Sequence, residues 1–155
     1  MKNKTQAAGD TMARQRRMRV LALSDAETLR SRYAALGAEP PHSLLRGPET
    51  GLVMLRGRIG GTGEAFNVGE ATVTRATVKL ADGSVGHAMA LGRVPEKVRQ
   101  AAVIDALCQD GARATLIDAE FIAPIEQALA QADERRRRET AATRVDFFTL
   151  VRGED

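Results

Sequence analysis

Aromatic side chains are scarce in this sequence: 3% of 155 residues, with no Trp, one Tyr and four Phe. Aromatics contribute most to the burial of cores and interfaces. The core therefore has to be built mainly from Ala, Val, Leu and Ile, and the shortage suggests stability borrowed from a partner. A binder that stacks bases on an aromatic platform is disfavoured, as is a Trp-rich carbohydrate surface. Cysteine is nearly absent too. Cys108 stands alone, so neither an internal disulfide nor a cysteine metal motif can form, and a reducing, cytoplasmic setting is expected. The two histidines, His42 and His87, lack the neighbouring ligands of a closed zinc site. No apolar run is long enough for a membrane helix, and the N-terminus lacks the apolar stretch of a secretory signal.

What is present fits one soluble domain. Apolar residues make up 43% and charged residues 28%. A chain of this length buries enough surface for a core of its own. The net charge is only +3, and the excess is local: Lys2, Lys4, Arg14, Arg16, Arg17 and Arg19 face Asp10 alone in the first nineteen residues. A basic terminus can attract phosphate-bearing partners, but a solvated tail explains it as well.

Residues 1–10 read as a polar, disordered tail and residues 11–155 as a single domain. A helix is expected over 11–23. Ser24 followed by Glu27 forms a capping box opening a second helix, with Leu29, Tyr33 and Leu36 at helical spacing, and Gly37 with Pro40-Pro41 ends it. Residues 43–46 and 51–58 read as extended. Residues 70–81 alternate, with Thr72, Thr74, Ala76, Val78 and Leu80 on one face. Asp82-Gly83 signals a type I′ hairpin, and the returning strand places Val85, His87, Met89 and Leu91 on one side. Pro95 opens a helix that runs to Asp110 and stops at Gly111. Residues 113–119 are ambiguous, and Pro124 starts a last helix to about Thr140, supported by pairs such as Glu134 with Arg138. Residues 145–151 read as an extended apolar tail. The fold class is α+β: N-terminal helices, an antiparallel meander of three to four strands, then C-terminal helices.

No segment carries an enzyme motif. The glycine-rich stretch Gly60-Gly61-Thr62-Gly63-Glu64 could turn backbone N–H groups toward an anion, but no Gly-Lys-Ser/Thr follows, and the spacing is not that of a dinucleotide site. It is either a flexible strand connection or a loop that touches phosphate or a partner. Arg75, inside a strand, is either an exposed charge or a fork for carboxylate or phosphate. Cys108 reads as a small core residue rather than a nucleophile, and the run Arg135–Arg138 as a solvated helix face. The C-terminal stretch is unusual for a chain end: Arg144, Asp146, Phe147, Phe148 and Arg152 sit in an apolar extended run. It either completes the chain's own sheet or docks on another protein as an added strand.

Several segments in order resemble one family. They are Glu49-Thr50-Gly51-Leu52-Val53, Gly60-Gly61-Thr62-Gly63-Glu64, Ala71-Thr72-Val73-Thr74-Arg75-Ala76, Asp82-Gly83, Ile104-Asp105-Ala106-Leu107, and the run from Thr143 to Gly153. Together they are similar to the G subunit of the bacterial carbon–phosphorus lyase system, over about residues 12–155. The resemblance implies a cytoplasmic assembly used in phosphonate catabolism. With the H, I and L subunits, such a subunit supports transfer of an alkylphosphonate to C1′ of ATP, releasing adenine and forming ribose 1-alkylphosphonate 5-triphosphate. The resemblance also implies that G, H, I and J form a symmetric core, with a functional link to the L and K subunits. The J subunit uses an iron–sulfur cluster and S-adenosylmethionine to break the carbon–phosphorus bond. No catalytic residue carries over to this chain, and no metal or cofactor is expected on it.

The expectation is thus a structural subunit that docks most directly on the I subunit. Gly60, Gly61, Thr62, Gly63, Glu64 and Arg75 are its partner- or phosphate-contacting candidates. Arg144, Asp146, Phe147, Phe148 and Arg152 are its docking candidates. The alternative is a stand-alone phosphate- or nucleotide-binding protein using the Gly60–Gly63 loop. Binding to nucleic acid or membrane is not expected.

Overall fold

The computed structural model describes residues 4–143. The chain runs α1 (Lys4–Leu23), α2 (Ala26–Ala35), β1 (His42–Arg58), β2 (Ala65–Leu80), β3 (Val85–Leu91), α3 (Pro95–Leu107), α4 (Gly111–Ile117) and α5 (Ala123–Ala142). The three strands form one antiparallel sheet in the order β1-β2-β3. The architecture is α+β, with the strand count at the lower end of the expectation.

α3 is the organising element. Most of its residues are buried, among them Val98, Ala102, Val103 and Ile104. It lies against the sheet, while α1 and α2 pack on it from other sides. The alternation read from residues 70–81 holds: Thr74, Ala76, Val78 and Leu80 are buried. On β3 the core-facing residues are instead the small ones, Gly86, Ala88 and Ala90, while Met89 and Leu91 are exposed. The reason is proximity. A Cβ on Gly86 would stand 2.0 Å from the Ala102 carbonyl oxygen and 2.4 Å from the Ala106 nitrogen, so a larger side chain would force α3 off the sheet. Thr74, fully buried, fastens the link into α3 by donating to the Gly92 carbonyl (2.7 Å) and accepting from the Val94 N–H (3.1 Å).

Local chemistry moves several expected boundaries. α1 begins at Lys4, inside the stretch read as a tail. The cap of α2 is Asp25, which accepts from the Thr28 N–H at 3.0 Å. Ser24 is still part of the preceding turn, where its buried hydroxyl donates to the Leu21 carbonyl. The two extended runs at 43–46 and 51–58 form one strand, interrupted by register shifts at Leu44/Arg46 and Arg46/Glu49. The Asp82-Gly83 hairpin forms, but not as type I′. Only Gly83 has positive φ there, and its N–H bonds to the Leu80 carbonyl, as in a tight turn followed by a left-handed glycine.

The C-terminal half departs most. α3 ends at Leu107, and Gly111 opens α4 rather than stopping a helix. Asp110 caps it by accepting from the Ala112 and Arg113 N–H groups, which explains why glycine is tolerated there. The ambiguous segment 113–119 is helical. A π-helical turn, Asp118–Ile122, joins α4 to α5 and buries Phe121 and Ile122. Pro124, the second residue of α5, follows directly on this π-helical turn, so it lies within a continuing helical path and does not start a separate helix.

Candidate functional site

β2 pairs with β3 only from Val73 to Lys79. Beyond Val73, β1 and β2 continue as a two-stranded arm. Its outer part, residues 65–72 of β2, is about 27 Å long at the usual strand rise. Along β1 this arm reads Leu52-Val53-Met54-Leu55, an unbroken apolar run. Side chains alternate between faces, so apolar groups leave both. Leu52 is 64% exposed and Val68 60%, and Met54, Leu55, Ile59 and Phe66 are exposed as well. An isolated hairpin is marginal in water, and apolar patches of this kind mark interaction surfaces. Nothing else among the described residues covers this end.

The glycine segment is the tip of this arm. Ile59–Gly61 forms a single 3-10 turn, with Gly60 at φ 61°. The Gly63 N–H is spent on the Ile59 carbonyl (3.1 Å), and Arg58 donates to the Gly63 carbonyl (2.9 Å). Thr62 and Glu64 are exposed beside it. Arg75 is elsewhere. The ten residues of strand from Ala65 to Arg75 put it about 33 Å from the tip, so the two halves of the sequence-derived candidate site do not meet. Arg75 donates to Glu49 at 2.6 Å, on the same carboxylate oxygen that Arg46 reaches at 2.6 Å. Hydrogen bonding from Arg75, then Arg46, lowers the Glu49 pKa. Arg75 thus has a carboxylate partner within the sheet. Arg144, Asp146, Phe147, Phe148 and Arg152 lie outside the described residues.

Three polar clusters behind the arm escaped the sequence reading, each joining residues far apart in the chain. Asp105 on α3 is 1% exposed. It accepts from Arg14 at 3.0 and 2.7 Å and from the His87 backbone N–H at 2.9 Å. This contact fastens α1 and the outer edge of β3 to α3.

The second cluster centres on Arg99, which donates to both Glu39 and Glu96. Those bonds lower both carboxyl pKa values. Tyr33 donates to Glu39 at 3.1 Å; its own pKa is pushed up, first by burial and then by the Glu39 charge. His42 faces the Pro40 carbonyl through Nδ1 (3.0 Å) and Arg99 through Nε2 (3.2 Å). A carbonyl only accepts and a guanidinium only donates, so the ring proton belongs on Nδ1.

The third pairs buried Arg17 with Asp118 at 2.9 Å, beside a cleft of about 560 Å³. Cys108 also lines this cleft and is buried; desolvation raises its thiol pKa to about 12.

Among the described residues, no group of three His, Cys, Asp or Glu side chains could hold a metal ion, and no helix is long and apolar enough to cross a membrane. The geometry is thus an extended, apolar two-stranded arm on a braced α+β body. Residues 12–153 match the family described as phosphonate metabolism protein PhnG. A relative from Rhizobium meliloti (strain 1021), the alpha-D-ribose 1-methylphosphonate 5-triphosphate synthase subunit PhnG, is 46% identical over 157 residues and covers all of both chains. The chain belongs to the phosphonate metabolism protein PhnG family.

Proposed function

We propose that this chain is a subunit of an alpha-D-ribose 1-methylphosphonate 5-triphosphate synthase, the role its Rhizobium relative is named for. In this reading it supports transfer of an alkylphosphonate to C1′ of ATP with loss of adenine. It acts as a docking and shaping subunit, most directly on the I subunit of the assembly, and supplies no catalytic group or cofactor of its own. The observation that carries the docking role is the two-stranded arm with apolar side chains on both faces. Burying such side chains is worth roughly 1.5–3 kcal/mol each, which is why an uncovered arm of this composition points to a partner.

The test is affinity purification of the tagged chain from cells using a phosphonate as sole phosphorus source. Recovery of the other synthase subunits in fixed stoichiometry is expected. A chain that emerges alone, and that binds ATP or a phosphonate through the Gly60–Gly63 tip, would replace this reading with the stand-alone alternative. Changing Phe147 and Phe148 to Ala is expected to weaken recovery of the I subunit, since the C-terminal run is the second docking candidate.

A further inference from the structure

A second cavity, of about 260 Å³, lies where α1, β3 and α3 meet, away from the arm. Its walls are mostly aliphatic, with Met18, Leu21, Ala88 and Ala101 among them. Lys97 also lines it and is only 8% exposed. Its ammonium donates to the Ala22 carbonyl at 2.7 Å, near the C-terminus of α1, where a cation is favoured. An ammonium carries three donors, so one bond to a carbonyl leaves it able to take a further acceptor. Arg19, exposed, is a second cation in the lining, His87 lines it too, and no carboxylate does so among the described residues, although the charge of Asp25 acts on Lys97. This differs from the Arg17 cleft, where Asp10 and Asp118 offset the arginines. An apolar chamber with a buried ammonium and no acidic lining is complementary to an anion with an apolar body.

We propose that this cavity binds a small anion bearing a short alkyl group, its charged head on Lys97 Nζ and its alkyl group against Met18, Leu21 and Ala101. The volume is just below that of a drug-sized site, which restricts the ligand to a small molecule. Burial lowers the Lys97 pKa, with the Asp25 charge offsetting it only in part, and an incoming anion relieves the remaining cost. The proposal stands on the cavity itself and does not depend on the subunit reading.

The test is titration of the full chain, labelled with 13C at the methionine methyls, with ethylphosphonate, butyrate or inorganic phosphate. The sequence has five Met. Met18 and Met89 line the cavity, whereas Met12 and Met54 lie elsewhere and serve as internal controls. Saturable shifts at Met18 and Met89 with at least one alkyl anion are expected, and the tighter of the two identifies the preferred head group. Inorganic phosphate, lacking the alkyl group, is expected to bind about tenfold more weakly or not at all, the scale of one lost side-chain burial. Lys97→Met should weaken alkyl-anion binding by about tenfold or more, as loss of a charge-assisted hydrogen bond requires. Met18→Trp fills the chamber from a half-buried position and should abolish binding even if Lys97→Met fails to fold. The proposal is overturned if neither alkyl anion shifts Met18, if phosphate binds equally well, or if a folded Lys97→Met binds like the parent.

Discussion

Replacing Gly86 by Ala tests how the body of this protein is packed. The added Cβ would lie 2.0 Å from the Ala102 carbonyl oxygen, where ordinary contact begins near 3.4 Å. The obstructing atoms include α3 backbone, so no side-chain rotation relieves the clash, and α3 must retreat from the sheet by about 1.4 Å. That retreat loosens the contacts of Val98, Ala102 and Ile104, all buried. Overpacking of this kind costs about 1–3 kcal/mol, and a backbone obstruction places it at the upper end. At about 2–4 °C per kcal/mol for a chain of this size, the melting temperature should fall by about 6–12 °C. The assay is thermal unfolding by circular dichroism, with Gly51→Ala as the control. A Cβ on Gly51 would meet nothing within 4 Å, so that change should stay within about 0.5 kcal/mol. Equal melting temperatures for Gly86→Ala and the parent would refute the close approach of α3 to β3.

Asp105→Ala removes the partner of Arg14 and leaves the His87 N–H without its acceptor; a loss of about 2–4 kcal/mol is expected by urea denaturation, with Asp105→Asn milder because one carbonyl acceptor remains. The lowered pKa values of Glu39 and Glu96 mean that the folded state favours their charged forms. Their contribution is therefore present above the ordinary carboxylate range and is lost as pH falls from that range through the lowered folded-state values. Glu39→Gln should accordingly lower stability modestly at higher pH, where that contribution is present, and flatten the acid limb of a stability–pH curve so that variant and parent converge at low pH. Cys108, buried and with its thiol pKa raised to about 12, should resist a thiol-specific reagent at pH 8 in the folded chain and react promptly in denaturant; fast labelling without denaturant would contradict its place in the core.

Where the sequence could be read, local rules decided the structure. The alternation from Thr72 to Leu80 identified the core face of β2 because one face of that strand is buried. The Asp82-Gly83 pair marked a hairpin, but the turn type follows the path of the strands as well as the residue pair. Gly111 misled because glycine marks helix ends of both kinds, and only Asp110, one residue earlier, distinguishes a start from a stop. Ser24 and Asp25 are both competent caps, and the length of α1 chose between them. On β3 the large residues were visible but their direction was not. Small side chains face inward there because a helix presses on them. The candidate site was less accessible. Leu52 to Leu55 is a continuous apolar run, a signal that both faces of the strand want cover. The separation of Arg75 from the glycine tip follows only from the length of the arm. The Arg14–Asp105 pair joins residues 91 positions apart, and the two sit in helices whose local patterns say nothing of each other.

If the chain works by inserting its arm into a partner, charges on the arm should abolish assembly without unfolding the body. Leu52→Glu with Met54→Glu places two charges on one face of the arm, outside the core packed around α3. If burial of these two side chains contributes about 3 kcal/mol to docking, affinity should fall by about a hundredfold or more. The melting temperature of the isolated chain should move by no more than about 2 °C, since these are exposed surface positions. The decisive quantity is the mass of the assembly formed when parent and variant chains are each co-expressed with the other synthase subunits. The parent should enter the complex and the variant should be left behind as a folded, free chain. A variant that enters the complex in full stoichiometry would show that the arm is not what docks.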